Sequence, residues 1–582
     1  MNFPMSELIE PGFFQINFMN ELRRQYPAPN VLLHLQLMVN NDFKRFVDRP
    51  SKLTFDKIEE EFRTILTQNN LTVFGENERI DLIFSRLDNL ENLNEDQKEK
   101  ISDFVDQNFE ETATGLKSHI PKDFNSEPQL ADTIEDESLR DMVLSLNNMM
   151  KELSREKDPA YCGKTTLIDL KHPFFVPGGR FNEFYYWDSF WILKGLLVLD
   201  MKISAGNILK NFTETILEFE YFPNATRTYY KGRSQPPYYP QMLEILYQYE
   251  DFRTYILEDG LNAAIKEYNF FAKNFNSRYN LNYYDTPGNF PRPESFRDDF
   301  KKYKGDISIF RKIRSIAESG WDFSSRWVDE SKRIIITEIF PADLNSLLYK
   351  NEKIIARLSY EKNDLHYYEL FNKRAEKRKN AINDTLFNTN RGTFSDFNFK
   401  TKKHNKNFYA SNLYPIIYGI HEGAELYKIL LKDFNEIFGY AAGIPASNKK
   451  SGEQWDLPNV WAPYTESLEN YLYNIDEKKL SLHIAGSFFK GAFDGYTESN
   501  KFFEKYSTEI VGKEGEGGEY KAQAGFSWTN GALLCFINRY GEELMEFDFE
   551  TSKEDCKNYL EEKVNGNSAV YGLEKDKEQG IN

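Results

Sequence analysis

The chain has 582 residues, 40% of them hydrophobic and 15% aromatic, enough apolar surface for a large core and too much for a disordered polymer. Lys and Arg total 73 against 91 Asp and Glu, so the net charge of −18 repels a polyanionic backbone and argues against nucleic acid as a partner. No run approaches the roughly 18 apolar residues of a membrane span; the strongest, Phe190 to Leu199, is broken by Lys194.

The opening stretch, MNFPMSELIEPGFF, has early acidic residues and neither a basic start nor a long apolar run, so no secretory signal is expected and the cytoplasm is the expected compartment. Residues 1–120 hold acidic, Asn-rich helical stretches such as DKIEEEFRTIL and NEDQKEKISDFV, expected to form a helical extension wrapped on the rest. Between 121 and 550 helical periodicity dominates. Leu261, Ala264, Ile265, Tyr268, Phe271 and Phe275 recur at steps of three or four and fit one helix face. Behind Pro341, suited to a first helical turn, Leu344, Leu347, Leu348, Ile355 and Leu358 do the same, and Ile484, Ala485, Phe488, Phe489 and Ala492 form a third stripe. Between the stripes lie PFFVPGGRF, SQPPYYP, TPGNFPRPES and EGEGGEY, where fixed Pro and permissive Gly backbones frame aromatics and charges in shaped loops. No fixed-period repeat is visible. Polar and charged residues dominate after Phe549, so 551–582 is expected as a C-terminal tail, mobile at its end.

Cys162, Cys535 and Cys556 are too few and too scattered for a disulfide framework or a thiolate metal site, and are expected to be reduced. Seven isolated His residues offer no HExxH pair, and no EF-hand loop or CxxC occurs, so neither metal nor cofactor is expected. Glu514, Glu516 and Glu519 would repel phosphate from the glycine-rich loop, and no GxSxG elbow is present.

What remains is a set of carboxylates among aromatics and arginines. Arg180, Trp187 and Asp188 lie in PGGRFNEFYYWDSF, Asn224 and Arg233 in PNATRTYYKGRSQPPYY, and Arg292 and Glu294 in FPRPES. Asp322 and Arg326 follow in ESGWDFSSRW, Trp455 and Asp456 in EQWDLPNVWAP, Glu504 in FFEKY, and Glu519 with Trp528 in GEGGEYKAQAGFSWTNG. Aromatic faces can cover the C–H face of a pyranose while Arg, Asn, Gln and carboxylates fix its hydroxyls. Glycoside cleavage needs one carboxylic acid to protonate the leaving oxygen and a second carboxylate as base or nucleophile. Asp322 stands between Trp321 and Phe323, and Glu504 follows Phe502 and Phe503, so either could be the acid whose pKa apolar packing raises. Each residue also has a plainer role open to it. Asp188 could cap a helix, Arg326 could be an ion-pair partner, Asp456 before Pro458 could shape a turn, and Glu504 could be solvated.

These strings resemble the trehalases of glycoside hydrolase family 37. PGGRFNEFYYWDSF at 177–190 and QWDLPNVWAP at 454–463 are similar to that family's two signature segments, with RSQPP, PRPES, SGWDFSSRW, GGEY and GFSWTNG in family order and a weaker likeness in FKRFVDRPSK. The resemblance implies an all-α fold, an (α/α)6 barrel, and hydrolysis of α,α-trehalose with inversion; a monomer is expected. It implies Asp322 as general acid and Glu504 as general base. Arg180, Trp187, Asp188, Asn224, Arg233, Ser234, Gln235, Arg292, Glu294, Gly320 and Glu519 would line the sugar subsites, with Trp455 beside them. Arg180, Arg233 and Arg292 are expected to hold Glu504 ionised. Glu514 and Glu516 interrupt the family's glycine-rich stretch, which bears on how that loop closes. Two rival functions remain: another inverting α-glucosidase on the same scaffold, taking maltose-like substrates, and a non-catalytic trehalose-binding protein.

Overall fold

The three apolar stripes all fall on helices. Leu344, Leu347, Leu348, Ile355 and Leu358 are buried along Ala342–Glu361, with Pro341 in extended conformation just ahead of the first turn. Ile484, Ala485, Phe488, Phe489 and Ala492 are buried along Lys478–Ser499. The stripe from Leu261 is cut short: its helix ends at Phe271, and Phe275 sits in a two-residue strand paired with Leu281–Asn282. Asn280 at φ 54° and an Asn276 side chain accepting from the Arg278 amide form a tight turn there, leaving Phe275 44% exposed. The structure, a computed structural model, describes residues 18–38, 43–76, 78, 80–90, 92–111, 114–303 and 305–578. The opening stretch MNFPMSELIEPGFF lies outside them.

Six helices form an inner ring: Asp188–Val198, Tyr239–Leu246, Ala342–Glu361, Tyr414–Ile417, Ala462–Asn474 and Ser527–Tyr540. Each packs on the next and the last packs on the first, so the ring closes. Glu137–Glu152, Lys202–Phe219, Leu261–Phe271, Leu365–Leu386, Ala424–Lys432 and Lys478–Ser499 lie outside it, giving an (α/α)6 barrel. The inner helix Ser527–Tyr540 is not amphipathic, because protein covers most of it on all sides; every residue from Ser527 to Ile537 is buried. Closure rests on two glycines. A Cβ on Gly531 would stand 2.2 Å from the Trp191 carbonyl oxygen, and one on Gly195 would stand 2.7 Å from the Gly531 Cα.

The helices before residue 110 bury Phe18, Tyr26, Phe62 and Phe104 in a second core that they share with Tyr185, Ala225, Tyr229, Tyr230, Phe290, Phe296 and Phe310 of the barrel loops. At the other end, the segment read as a polar tail contains the helix Phe549–Glu578. Cys556 and Leu560, four residues apart and so on one face, are fully buried against Lys478–Ser499 and Ala424–Lys432, which holds its first turns down. Among the described residues no side-chain cluster could hold a metal ion, and no helix is long and apolar enough to cross a membrane.

Candidate active site

One cleft, of about 730 Å³ including its mouth, opens where inner helices begin. Trp187 and Asp188 start the first of these helices, Trp461 and Phe526 cap two others, and Gln235 lies just ahead of a fourth. Their N-terminal dipole ends therefore converge on the cleft and favour negative charge there. Long loops bring in Arg180, Asn224, Arg233, Arg292, Glu294, Gly320, Asp322, Trp455, Glu504 and Glu519, all of which line the wall with Trp187, Asp188 and Gln235. Ser234 stays off the wall. Its hydroxyl donates to the Phe222 carbonyl at 2.7 Å and its amide to Glu318 at 2.9 Å, a loop-shaping arrangement that sequence alone does not distinguish from a sugar contact.

Asp322 is packed in protein, with 34% of its side chain open to the cleft. Burial is the main cause that pushes its carboxyl up to about 7; Arg292, with Nη1 3.8 Å from Oδ2, opposes the rise, and the charge of Glu519 adds to it. Its loop is fixed from behind by Asp456, which is fully buried. Asp456 accepts from the Ser324 and Ser447 hydroxyls, the Ser325 amide and the Ser451 hydroxyl, so it ties the loop of Trp455 to that of Asp322 rather than merely shaping a turn. Gln454 adds a second tie, donating to the Asp322 carbonyl at 2.7 Å. Arg326, in the same loop, is a core ion-pair partner that grips Asp343 and Asp396.

Glu504 is just 1% exposed. Burial raises its pKa, but the Tyr520 hydroxyl donates to Oε1 at 2.7 Å and the Gln523 amide to Oε2 at 3.1 Å, and both favour the anion, as do the charges of Lys505 and Arg180. Of the three arginines expected to hold Glu504 ionised, Arg180 acts on it, whereas Arg292 and Arg233 act on Asp322. The chain folds Arg292 against Asp299, which takes both of its Nε and Nη2 bonds at 2.9 Å, and Arg233 against Glu294. Arg233 keeps Nε and Nη1 without a partner among the described residues.

Asp188 is no helix cap: Trp187 holds that position and no side-chain cap bond forms. Burial, followed by the charge of Glu504, pushes the Asp188 carboxyl well above the ordinary carboxylate range where it faces the cleft. Gln235 accepts from the Trp187 amide at 3.1 Å, and Asn224 donates to the Ser234 and Ala317 carbonyls. Gly320, at φ 76°, is required by packing as well as by backbone, since a Cβ there would stand 2.8 Å from the Trp187 ring. Trp187, Trp321, Trp455, Trp461 and Trp528 form one aromatic floor, with Trp455 stacked on Trp461 at 4.0 Å and 2°.

The glycine-rich loop lies against the cleft. Gly517 and Gly518 pass so close to Gly452 and Gln454 that a Cβ would stand 2.3 or 2.5 Å away, and Lys505 donates to the Glu516 and Gly517 carbonyls at 3.1 and 3.2 Å. Burial lowers the Lys505 pKa to about 8. Tyr520, Gln454 and Lys44 line the same wall without belonging to the residues that the sequence singles out. The first two directly follow Glu519 and precede Trp455, so adjacency was the available signal; Lys44, in FKRFVDRPSK, had none but its place in a family-like string.

A family model described as Trehalase matches residues 67–541. The chain is 31% identical over 533 residues to the trehalase of Homo sapiens, covering 86% of this chain and 87% of that protein. It is 33% identical over 461 residues to the periplasmic trehalase of Citrobacter koseri, covering 75% and 77%. The fold matches the solved neutral trehalase Nth1 from Saccharomyces cerevisiae at a TM-score of 0.55 and 23% identity, over 66% of this chain and 76% of that one. With a family match across most of the barrel and a closed ring presenting carboxyls, arginines and tryptophans to one cleft, the chain belongs to the trehalase family.

Proposed function

We propose that the protein hydrolyses α,α-trehalose to two glucose molecules with inversion, Asp322 serving as general acid and Glu504 as general base. The observation that carries the division of roles is the contrast in their partners. Asp322, pushed up to about 7, keeps its proton on about half of the molecules at neutrality and on more as pH falls, whereas Glu504 receives two hydrogen bonds that favour its anion. In the reaction the C1–O bond breaks as the Asp322 proton passes to the bridging oxygen. A water oxygen bonds to the same C1 from the far face while its proton passes to Glu504. Trp187 and Trp455 would carry the C–H faces of the rings, and Arg180, Arg233 and Arg292 would donate to hydroxyls.

Time-resolved proton NMR of the products tests the reading. Inversion releases one β-glucose and one α-glucose per trehalose before mutarotation; two α-glucose molecules at first would mean retention. A preference for maltose over trehalose would instead select the rival glucosidase reading. We place the enzyme in a reducing compartment such as the cytoplasm, supported by three unpaired thiols, with Cys162 exposed.

A further inference from the structure

The cleft is not built by the barrel alone. Lys44, on the short helix Phe43–Val47 of the N-terminal segment, is 2% exposed and reaches the cleft wall. Its Nζ stands 2.7 Å from Asp48 Oδ2 and 2.7 Å from Glu183 Oε1. Arg227 Nε lies 3.1 Å from each of the same two carboxylates. Two cations thus face two anions out of reach of water, one of each pair coming from the N-terminal segment and one from the barrel loops.

This square of charge connects to the cleft through tyrosines. The Tyr230 hydroxyl donates to Glu183 Oε1 at 3.4 Å and shares a 2.5 Å contact with the Tyr185 hydroxyl, and both rings line the cleft. The Arg233 guanidinium rests 4.9 Å from the Tyr230 ring centroid, and its remaining ion-pair partner is Glu294. A displaced Tyr230 would therefore leave the guanidinium without the face it lies on.

We propose that Lys44 is a positioning residue of the cleft: the N-terminal segment delivers its ammonium to Glu183, which through Tyr230 sets the guanidinium of Arg233. Without Lys44, two buried carboxylates share one guanidinium. Glu183, having lost its ammonium partner, then draws more strongly on Tyr230 and moves the Tyr230 hydroxyl from its present place. The proposal rests on Arg233 being a sugar contact, as the proposed function has it.

The test is steady-state hydrolysis of trehalose by full-length Lys44→Met, Lys44→Arg, Tyr230→Phe and Arg233→Lys, each with its Tm and its folded fraction measured. Lys44→Met is expected to raise KM about 30-fold with a smaller fall in kcat, and Lys44→Arg to recover most of that loss, because a second guanidinium can still bridge Asp48 and Glu183. Tyr230→Phe keeps the ring under Arg233 and removes the hydroxyl; a KM raised about fivefold at near-parental Tm is expected, which also serves if Lys44→Met fails to fold. A parental KM in folded Lys44→Met, or in Tyr230→Phe, beside an impaired Arg233→Lys overturns the proposal alone. A parental KM in Arg233→Lys overturns the sugar-contact reading on which it stands.

Discussion

Asp322 and Glu504 are the same chemical group withdrawn from water on two walls of one cleft, and their surroundings differ. On the Asp322 wall the facing cation, Arg292, is already committed to Asp299 through two hydrogen bonds, leaving one nitrogen 3.8 Å away from the Asp322 carboxyl. On the other wall, Glu504 takes a hydroxyl and an amide at hydrogen-bond distance from the glycine-rich loop and the strand-like segment after it. Burial raises both, but Asp322 has only its own backbone amide as a hydrogen-bond donor to its anion, whereas Glu504 takes a phenol hydroxyl and the amide of another residue. The different proton affinities of two carboxyls are thus set by who donates to them as well as by depth.

The strongest way to break that comparison is to remove each group in turn. Asp322→Asn and Glu504→Gln should each lower kcat on trehalose by on the order of 10²–10⁴-fold with little change in KM. α-Glucosyl fluoride, whose leaving group needs little protonation, sharpens the contrast: it should restore most of the activity of Asp322→Asn and little of that of Glu504→Gln. Equal recovery in both variants would reverse or dissolve the assignment.

A smaller effect should follow from the donors. The wild-type profile is expected to fall on its basic side as pH rises through about 7, where Asp322 loses its proton, and on its acid side as Glu504 gains one. Tyr520→Phe removes a donor to the Glu504 anion, so the Glu504 pKa rises and the acid side should move up by roughly one pH unit, leaving the basic side in place. If the basic side moved instead, the two walls would be exchanged. Asp322→Asn carries a stability counterpart. The raised Asp322 pKa means that the parent loses stability progressively as pH climbs from about 4, where the unfolded chain ionises, to about 7, and no further above it, so this variant should gain most Tm relative to the parent at pH 8, less at pH 5 and none near pH 3.

A change in the shared frame should leave the contrast untouched. Gly531→Ala places a Cβ on the Trp191 carbonyl where the ring closes, and should cost about 1–3 kcal/mol of stability by calorimetry or chemical denaturation. The pH profile of the folded enzyme should keep its shape.

Helical stripes were legible because a face that packs once must repeat at 3.6 residues, and Leu344 to Leu358 is such a face. Where a turn competes locally, as at Asn276 to Asn280, periodicity overshoots, and Phe275 is left outside the helix. The polar segment after Phe549 hid its docking face in two residues, Cys556 and Leu560, too few to register as a stripe. Thirteen of the residues named for the cleft line it, since motif strings carry side chains on loops whose Pro and Gly fix their course. Ser234 differs because an interior carbonyl, Phe222, claims its hydroxyl, and nothing in RSQPP reveals that acceptor.

By itself the sequence determined the chemistry on offer: helices in number, loops of constrained backbone, and carboxyls, guanidiniums and indoles in strings peculiar to one family. Only the tertiary structure decided which donor meets which acceptor. Asp299 against Arg292, Tyr520 against Glu504 and Lys44 against Glu183 join elements whose proximity depends on ring closure and on the N-terminal helices reaching the barrel loops. Proton affinity in a buried site follows from those meetings, because charge taken out of water is governed by its few nearest partners.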